Sequence, residues 1–243
     1  MINLKNYKIY YEPYPHIIFK NILDTTFYND LCKEFPLTEN FSSFNFDKKR
    51  NEHKQNKLSI ANNNKNFAKI IYSRKTTKLF FDYITSQLFR KEIINFLNIN
   101  HIKLNYNLNK GIIEKIYRKI KKKIDYTFEF SLISSDGGYI NAHTDGPEKL
   151  ISLIFPMIDD KRILNIKNSG TKILFSKNEK FKYNIMNYVV PFEDTEMVRE
   201  IPFNENQLCI FIKTHNSLHS VGPMEKYNKE TIMRKSINFN IYS

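Results

Sequence analysis

Hydrophobic residues recur with helical spacing in the first hundred positions of the chain. A short apolar stretch at residues 17–19 is followed by Asp24, which is placed to cap a helix. The apolar face of that helix consists of Phe27, Leu31 and Phe35. Pro36 cannot continue the hydrogen-bond ladder, so the helix is predicted to end before it.

A second helical periodicity begins at Thr76 and predicts one long amphipathic helix or two abutting helices. The apolar positions are Leu79, Phe80, Tyr83, Ile84, Leu88, Ile93, Ile94 and Leu97. Between the two helical regions, residues 40–63 are rich in Asn, Lys and Ser, which predicts a long loop. Long loops in compact domains often close over a substrate, although a disordered segment would have the same composition.

The pattern changes after about residue 125, where short β-prone runs alternate with turn residues. The runs cover residues 126–133, 138–143, 150–155, 171–175, 188–190, 207–213 and 236–242. Many short strands separated by Gly, Asn, Asp and Pro are typical of a sandwich or barrel. We therefore predict an α+β fold with a helix-rich N-terminal layer (1–105) packed on a β core (106–243), both sharing one hydrophobic core.

The composition indicates a folded chain and makes the net charge a weak indicator of a nucleic-acid partner. Of 243 residues, 41% are hydrophobic and 14% aromatic, which excludes global disorder. A net charge of +13 would favour a nucleic-acid partner, yet 31 of the 38 basic residues are lysines. Base-specific readers rely on Arg, and abundant Lys, Ile and Asn are what an AT-rich genome supplies. Nucleic acid is therefore disfavoured. A basic run such as the one at 115–123 is most often a solvated face, although it could also cover a phosphate backbone or an acidic substrate.

The remaining composition points to a soluble, cytoplasmic protein. Cys32 and Cys209 are too few for a disulfide framework, and neither has a CxxC partner for zinc. No stretch approaches the roughly 18 apolar residues of a membrane span. The first residues also lack the apolar run of a signal peptide.

Two residues that can bind metal stand two apart at the end of a predicted strand. His143 and Asp145 project from the same strand face, because side chains at i and i+2 share a face. Gly146 and Pro147 then end the strand. A second imidazole would complete the facial triad of non-haem Fe(II) oxygenases, which leaves three coordination positions open.

Two histidines follow the buried-strand pattern at 208–212 and could supply that imidazole. His219 lies in the run SLHSVGP at 217–223, and His215 lies four residues earlier in a polar turn. The spacing by itself leaves both candidates open.

The last predicted strand has one apolar and one polar face. Ile237, Phe239 and Ile241 alternate with Arg234, Ser236, Asn238 and Asn240. An arginine with a hydroxyl two residues further on can bind a carboxylate, and its planar fork does so bidentately. The adjacent Lys235 points to the opposite face.

Four further residues have two interpretations each. Tyr139 and Asn141 lie four and two residues before His143, so on a strand they share its face and could hydrogen-bond a ligand. Alternatively, Tyr139 could belong to the core. Ser236 could contact the carboxylate bound by Arg234, or be a strand hydroxyl satisfied locally. Lys149 could lie at the rim of the pocket, although an exposed lysine is the commoner case.

Together these segments resemble the 2-oxoglutarate/Fe(II)-dependent oxygenase superfamily, in its prolyl-hydroxylase-like branch. The matching pieces are HTD at 143–145, LISLIFPM at 150–157, SGT at 169–171, NQLCIFIKTHNSLHSVGP at 206–223 and RKSINFN at 234–240. The segment at 13–36 looks like the N-terminal segment of bacterial and phage members. The resemblance implies a double-stranded β-helix, or jelly-roll, core.

The resemblance also implies a site and a reaction. Fe(II) would be held by His143, Asp145 and His219, and 2-oxoglutarate would be anchored by Arg234, where many members of the branch use a lysine. With O2, the enzyme would hydroxylate an unactivated C–H of a small molecule, sugar, glycan or peptide precursor and convert 2-oxoglutarate to succinate. Related halogenases replace the carboxylate, so Asp145 favours hydroxylation or desaturation.

Two other functions are open at this point. One is a jelly-roll protein without turnover, either holding a metal or serving as an interaction module, and the intact set of three ligands plus Arg234 argues against it. The other is a nucleic-acid dealkylase of the same superfamily. The small number of Arg residues and the absence of Trp argue against it. Steep salt dependence of DNA or RNA binding would indicate the dealkylase. No membrane partner is expected, and the sequence does not define an oligomeric state.

Overall fold

Helices and strands alternate early in the chain, and strands dominate later. The computed structural model describes residues 1–41, 57–104 and 126–242. The helices are α1 (Thr25–Lys33), α2 (Phe67–Tyr72), α3 (Lys75–Ile84), α4 (Gln87–Ile99) and α5 (Glu179–Lys182). The strands are β1 (Tyr7–Tyr10), β2 (His16–Lys20), β3 (Lys57–Ala61), β4 (Tyr126–Ser134), β5 (Ile140–His143), β6 (Lys149–Pro156), β7 (Thr171–Ser176), β8 (Thr195–Ile201), β9 (Gln207–Ile212), β10 (His219–Val221) and β11 (Met233–Tyr242). Short 3₁₀ turns occupy Thr38–Asn40, Lys161–Asn165 and Phe192–Asp194.

The strands form two antiparallel sheets. The larger has the order β1-β2-β9-β6-β11-β4-β3, and the smaller has the order β5-β10-β7-β8. Ile173 and Ile201 of the smaller sheet pack with Cys209 and Phe211 of the larger one, so the sheets face each other. Helices packed on two antiparallel sheets agree with the predicted α+β class, and the sheet arrangement is consistent with a jelly-roll-like core.

The first helix begins where the sequence predicts. The Asp24 carboxylate accepts hydrogen bonds from the backbone N–H groups of Thr26 and Phe27 at 3.0 and 3.1 Å. These bonds satisfy two of the N–H groups that a helix start leaves without an intrahelical partner. Leu31 is buried on the predicted apolar face.

The four N-terminal helices, α1 to α4, cover one face of the larger sheet. Phe89, Ile93 and Leu97 of α4 belong to the same buried cluster as Phe128 of β4 and Phe239 of β11. Phe80 of α3 meets Phe155 of β6 edge to face, with ring centroids 5.2 Å apart, a favourable aromatic geometry. One hydrophobic cluster therefore joins the N-terminal helices to the C-terminal strands. The predicted division at residue 105 falls outside the described residues and stays a prediction.

Several predicted elements need correction. Residues 57–61 lie in the predicted loop but form β3, which pairs with β4. Residues 188–190 were predicted as a strand but make only one bridge, from Val190 to Ala142. The sequence analysis did not predict β1, β8, β10, α2 or α5. Of these, β8 is largely exposed and β10 has only three residues, so neither has a clear apolar pattern. The rest of the predicted loop at 42–56 and the basic run at 115–123 lie outside the described residues.

The second helical region is two abutting helices, one of the two arrangements predicted. Its apolar periodicity is only partly buried, since Leu79 and Leu88 are 47% and 62% exposed. Ser86 caps α4 by accepting a hydrogen bond from the Phe89 N–H at 3.1 Å. A new helix begins here, and its packing on β4 and β11 places Phe89 toward the sheet and Leu88 toward solvent.

Adjacent positions in α4 provide a direct test of that orientation. Phe89→Ala is expected to lower the free energy of unfolding by about 3–5 kcal/mol, because it removes a fully buried ring. Leu88→Ala, the matched control, is expected to change it by less than about 0.5 kcal/mol. Denaturant unfolding measures both values, and equal losses would contradict this helix orientation.

A glycine pair sets the approach of the chain to β5. Gly137 has φ +69°, in the left-handed region that favours glycine. A Cβ on Gly138 would lie 2.0 Å from the Ser134 carbonyl oxygen. Both positions therefore need glycine, and the predicted turn at 137–138 directs the chain from β4 into β5.

No helix in the described part of the chain is long and apolar enough to cross a membrane.

Candidate metal centre

A polar cavity of about 700 Å³ lies between the two sheets. Its floor is the face of the larger sheet opposite the helices. The predicted alternation of β11 is confirmed: Ile237, Phe239 and Ile241 are buried against the helices, whereas Arg234, Ser236, Asn238 and Asn240 line the cavity. The smaller sheet contributes His143 and His219 to the opposite wall.

His143, Asp145 and His219 form a compact cluster in this cavity. Each offers one ligand atom, and these atoms all lie within 4.8 Å of one another. β10 pairs antiparallel with β5 so that His219 stands directly opposite His143. Cross-strand neighbours are close enough for their side chains to meet, which explains the imidazole centroid separation of 4.4 Å.

Both imidazoles are oriented by backbone carbonyls. Nδ1 of His143 donates to the Asn141 carbonyl at 2.8 Å, and Nδ1 of His219 donates to the Ser217 carbonyl at 2.9 Å. A carbonyl only accepts, so in the neutral form of each imidazole the proton resides on Nδ1 and Nε2 keeps its lone pair. The Nε2 atoms lie 3.4 and 3.8 Å from the oxygens of Asp145. Such outer hydrogen bonds typically orient metal-binding histidines.

The electrostatics of the cluster favour the protonation states that bind metal. Burial would raise the pKa of Asp145, but the charge of Lys149 and the two imidazoles hold that pKa well below its usual range. Burial, together with the nearby His143, lowers the pKa of His219 to about 4. An ionised carboxylate and a neutral imidazole at pH 7 are the forms that coordinate a divalent cation.

A lysine of β6 also contacts the carboxylate of Asp145. Nζ of Lys149 lies 2.8 Å from Oδ1, and Ser152 donates its hydroxyl to Oδ2 at 3.0 Å. The Lys149 side chain is only 15% exposed and lines the cavity. The commoner interpretation, an exposed lysine, is therefore wrong for this residue.

The backbone of Asp145 adopts a left-handed conformation, with φ +70°. Lys213, immediately after β9, donates from Nζ to the Asp145 carbonyl at 2.8 Å and lies 2.9 Å from the Thr144 hydroxyl. Burial lowers the pKa of Lys213 to about 8. These contacts stabilise an uncommon backbone geometry that aims the carboxylate at the two imidazoles.

Arg234 of β11 lies buried in the floor of the same cavity. Its Nε donates to the Ser169 carbonyl at 2.7 Å, and its guanidinium lies over the Phe203 ring at 4.1 Å. Burial lowers the pKa of Arg234 to about 10. No carboxylate among the described residues lies within salt-bridge distance of it. The cavity therefore contains a buried cation whose charge is not neutralised by those residues.

The other predicted site residues divide into two groups. Ser236 lines the cavity, and its hydroxyl donates to the Asn238 side chain at 3.1 Å. Tyr139 and Asn141 are not among the lining residues, since a register shift between β5 and β10 breaks the simple alternation. The Asn141 carbonyl instead orients His143, as described above. His215 stacks on Tyr183 at 4.8 Å, away from the cluster.

Sequence reasoning missed several polar residues of the cavity. Lys57 of β3 pairs with Glu129 of β4 at 2.5 Å, and Asn238 donates to the same carboxylate at 2.9 Å. The alternation of Lys57 and Ser59 with buried Ile60 was a weak signal for β3, hidden in a polar segment. Lys213 and Ser152 had no local signal, since their roles depend on distant residues.

Known proteins were compared with the chain at the level of sequence and of structure. No protein-family model and no curated protein sequence matches it. Among solved structures, TqaL, an Fe(II)/α-ketoglutarate-dependent dioxygenase, is 11% identical at TM-score 0.51, over 90% of this chain and 75% of TqaL. IDO from Bacillus thuringiensis is 10% identical at TM-score 0.50, over 94% and 90% of the two chains. A prolyl-4-hydroxylase from Pseudomonas putida is 10% identical at TM-score 0.41, over 93% and 91%.

Identities this low compare folds and not activities, and the first two structures carry the comparison. Their similarity extends over at least 90% of this chain. The chain therefore has a fold similar to that of TqaL and of IDO.

Proposed function

We propose that the chain is an Fe(II)/2-oxoglutarate-dependent dioxygenase that hydroxylates an unactivated C–H bond of a small molecule, sugar or peptide precursor. In the balanced reaction, the substrate, 2-oxoglutarate and O2 give hydroxylated substrate, succinate and CO2. The observation that carries the proposal is the His143, Asp145 and His219 cluster in a cavity that also holds Arg234.

The donor set fits Fe(II). Two neutral imidazole nitrogens and one carboxylate are the ligands of the non-haem Fe(II) facial triad. The carbonyls of Asn141 and Ser217 hold the Nε2 lone pairs toward the carboxylate, so the ligands are oriented before a metal arrives. Fe(II) bound by these three residues would supply the redox chemistry that activates O2.

The environment of Arg234 fits a dicarboxylate co-substrate. A buried guanidinium is costly unless an anion compensates it, and the described residues provide no carboxylate within reach. The distal carboxylate of 2-oxoglutarate would supply that anion, and the guanidinium can bind it with two parallel hydrogen bonds. Ser236, two residues further along β11, and Thr171 face the same region and could contact the bound carboxylate.

The rest of the cavity is available to the substrate. Its lining is rich in hydroxyls, amides and charges, including those of Thr127, Asn238 and Asn240. Such groups orient a polar molecule through hydrogen bonds. This lining favours a small polar substrate over a long apolar one.

Succinate release tests the proposed function. Purified protein is supplied with Fe(II), 2-oxoglutarate and O2, and succinate is measured with amino acids, nucleotide sugars and peptides as candidate substrates. Succinate release that requires Fe(II), rises with one class of compound and yields a product heavier by one oxygen supports the proposal. Retention of wild-type Fe(II) binding and succinate release by His143→Ala would refute the site assignment.

A further inference from the structure

Lys149 is a cation at the boundary between the metal cluster and the polar floor of the cavity. It opens β6 and lies opposite Tyr242 of β11. Its Nζ contacts Oδ1 of Asp145 at 2.8 Å, and its side chain is 15% exposed. A lysine this enclosed needs a negative partner, because burial of an uncompensated charge is unfavourable.

The charged groups of the cavity can be assigned to partners one by one. Among the described lining residues, the cations are Lys57, Lys149 and Arg234, and the anions are Glu129 and Asp145. Glu129 already contacts Lys57 at 2.5 Å and accepts from Asn238 at 2.9 Å. Within this set, Asp145 is therefore the anion that Lys149 contacts, and the charge of Glu129 acts on Lys149 only from a longer distance.

In the proposed function, binding of the metal and of 2-oxoglutarate changes the charge balance around Lys149. A divalent metal would take the charge of Asp145, and the two negative charges of 2-oxoglutarate would be balanced by Arg234 and the remaining charge on the metal centre. The Lys57 and Glu129 pair is neutral by itself. In the loaded cavity, the charge of Lys149 would then have no counter-ion. A substrate with one negative charge would neutralise it.

We propose that the substrate is a small polar carboxylic acid whose carboxylate pairs with Lys149. This inference rests on the proposed function and adds the chemical class of the substrate. A carboxylate fits better than a phosphate monoester, because a phosphate monoester carries between one and a half and two charges at pH 7. The Thr127 and Asn240 side chains, on the same floor, can hydrogen-bond the rest of the molecule.

Binding to a redox-inert form of the loaded protein tests the inference. The full chain is saturated with Zn(II), which has no redox chemistry, and with 2-oxoglutarate, and their affinities are measured first. Calorimetry then compares amino, hydroxy and simple carboxylic acids with their primary amides, together with phosphate monoesters. We expect at least one acid to bind about tenfold more tightly than its amide, as one charge-assisted hydrogen bond would give.

Substitutions at Lys149 test whether the preference for acid over amide depends on this residue. Lys149→Gln is expected to remove the preference for acid over amide, measured at Zn(II) and 2-oxoglutarate concentrations that saturate the variant, and Lys149→Arg is expected to keep part of it. Lys235→Gln is the matched control, because Lys235 pairs with Asp159 on the other face of β11. A loss of Zn(II) affinity in Lys149→Gln equal to the loss of acid binding would overturn the inference in favour of a role in positioning Asp145.

Other outcomes separate this inference from the proposed function. If wild-type protein binds Zn(II) and 2-oxoglutarate but prefers no acid over its amide, the substrate class is wrong and the proposed function stands. Tighter binding of phosphate monoesters than of carboxylic acids also overturns the inference. Failure of wild-type protein to bind 2-oxoglutarate overturns both proposals.

Discussion

Replacement of Asp145 by asparagine is expected to weaken Fe(II) binding more than about 100-fold, since changes in outer-shell partners alone typically cost 10–100-fold. Asparagine removes the negative ligand but preserves the side-chain shape. It also tolerates the left-handed backbone of position 145, where φ is +70° and alanine would be strained. Metal titration and succinate release measure the effect.

The control for this variant is another aspartate that lies away from the cluster. Asp136 is exposed and pairs with Lys226 at 3.1 Å, so Asp136→Asn should leave both measurements unchanged. A circular dichroism spectrum and melting temperature for each variant separate loss of metal binding from loss of fold. Fe(II) affinity within a factor of two of wild type in Asp145→Asn would exclude Asp145 as a ligand.

Arg234→Gln is expected to raise the Kd for 2-oxoglutarate by about 100-fold, because it removes two charge-assisted hydrogen bonds. Glutamine is shorter and neutral, so it cannot bind the distal carboxylate as a bidentate cation. Calorimetry measures the affinity directly. Thermal denaturation provides a second readout, because 2-oxoglutarate should stabilise wild-type protein and leave the variant unchanged.

The stability of Arg234→Gln without a ligand distinguishes a binding role from a structural one. Burial of a cation without a carboxylate partner is unfavourable, so its removal should cost little stability in the absence of 2-oxoglutarate. Lys235→Gln, on the opposite face of the same strand, is the control for 2-oxoglutarate affinity. A large fall in the ligand-free melting temperature of Arg234→Gln, with unchanged 2-oxoglutarate affinity, would assign Arg234 to the fold instead.

The α4 helix illustrates the limits of local pattern. The apolar periodicity predicted helix here, and helix is present, but it did not decide which apolar residues are buried. The Ser86 cap starts a new helix, and the packing of that helix on β4 and β11 selects Phe89 and leaves Leu88 in solvent. Burial is decided by the partner surface, which lies far away in sequence.

The polar floor of the cavity shows a second limit. Lys57, Glu129 and Asn238 belong to three strands that are neighbours only in the folded sheet. In the sequence, Lys57 lies in a segment that is predicted to be a loop because it is polar. An alternating strand with a polar face toward a cavity has the same composition as a loop, so composition could not distinguish them.

The sequence by itself determined the directions of side chains along β11, because strand alternation follows from backbone geometry that acts locally. It did not do so for Asp145, which lies beyond the end of β5 and has a left-handed backbone. Only the tertiary structure decided which of these strands are neighbours. It brings His219 instead of His215 opposite His143, and it encloses Lys149 against Asp145. Strand pairing depends on hydrogen bonds and packing between distant segments, and no local pattern encodes it.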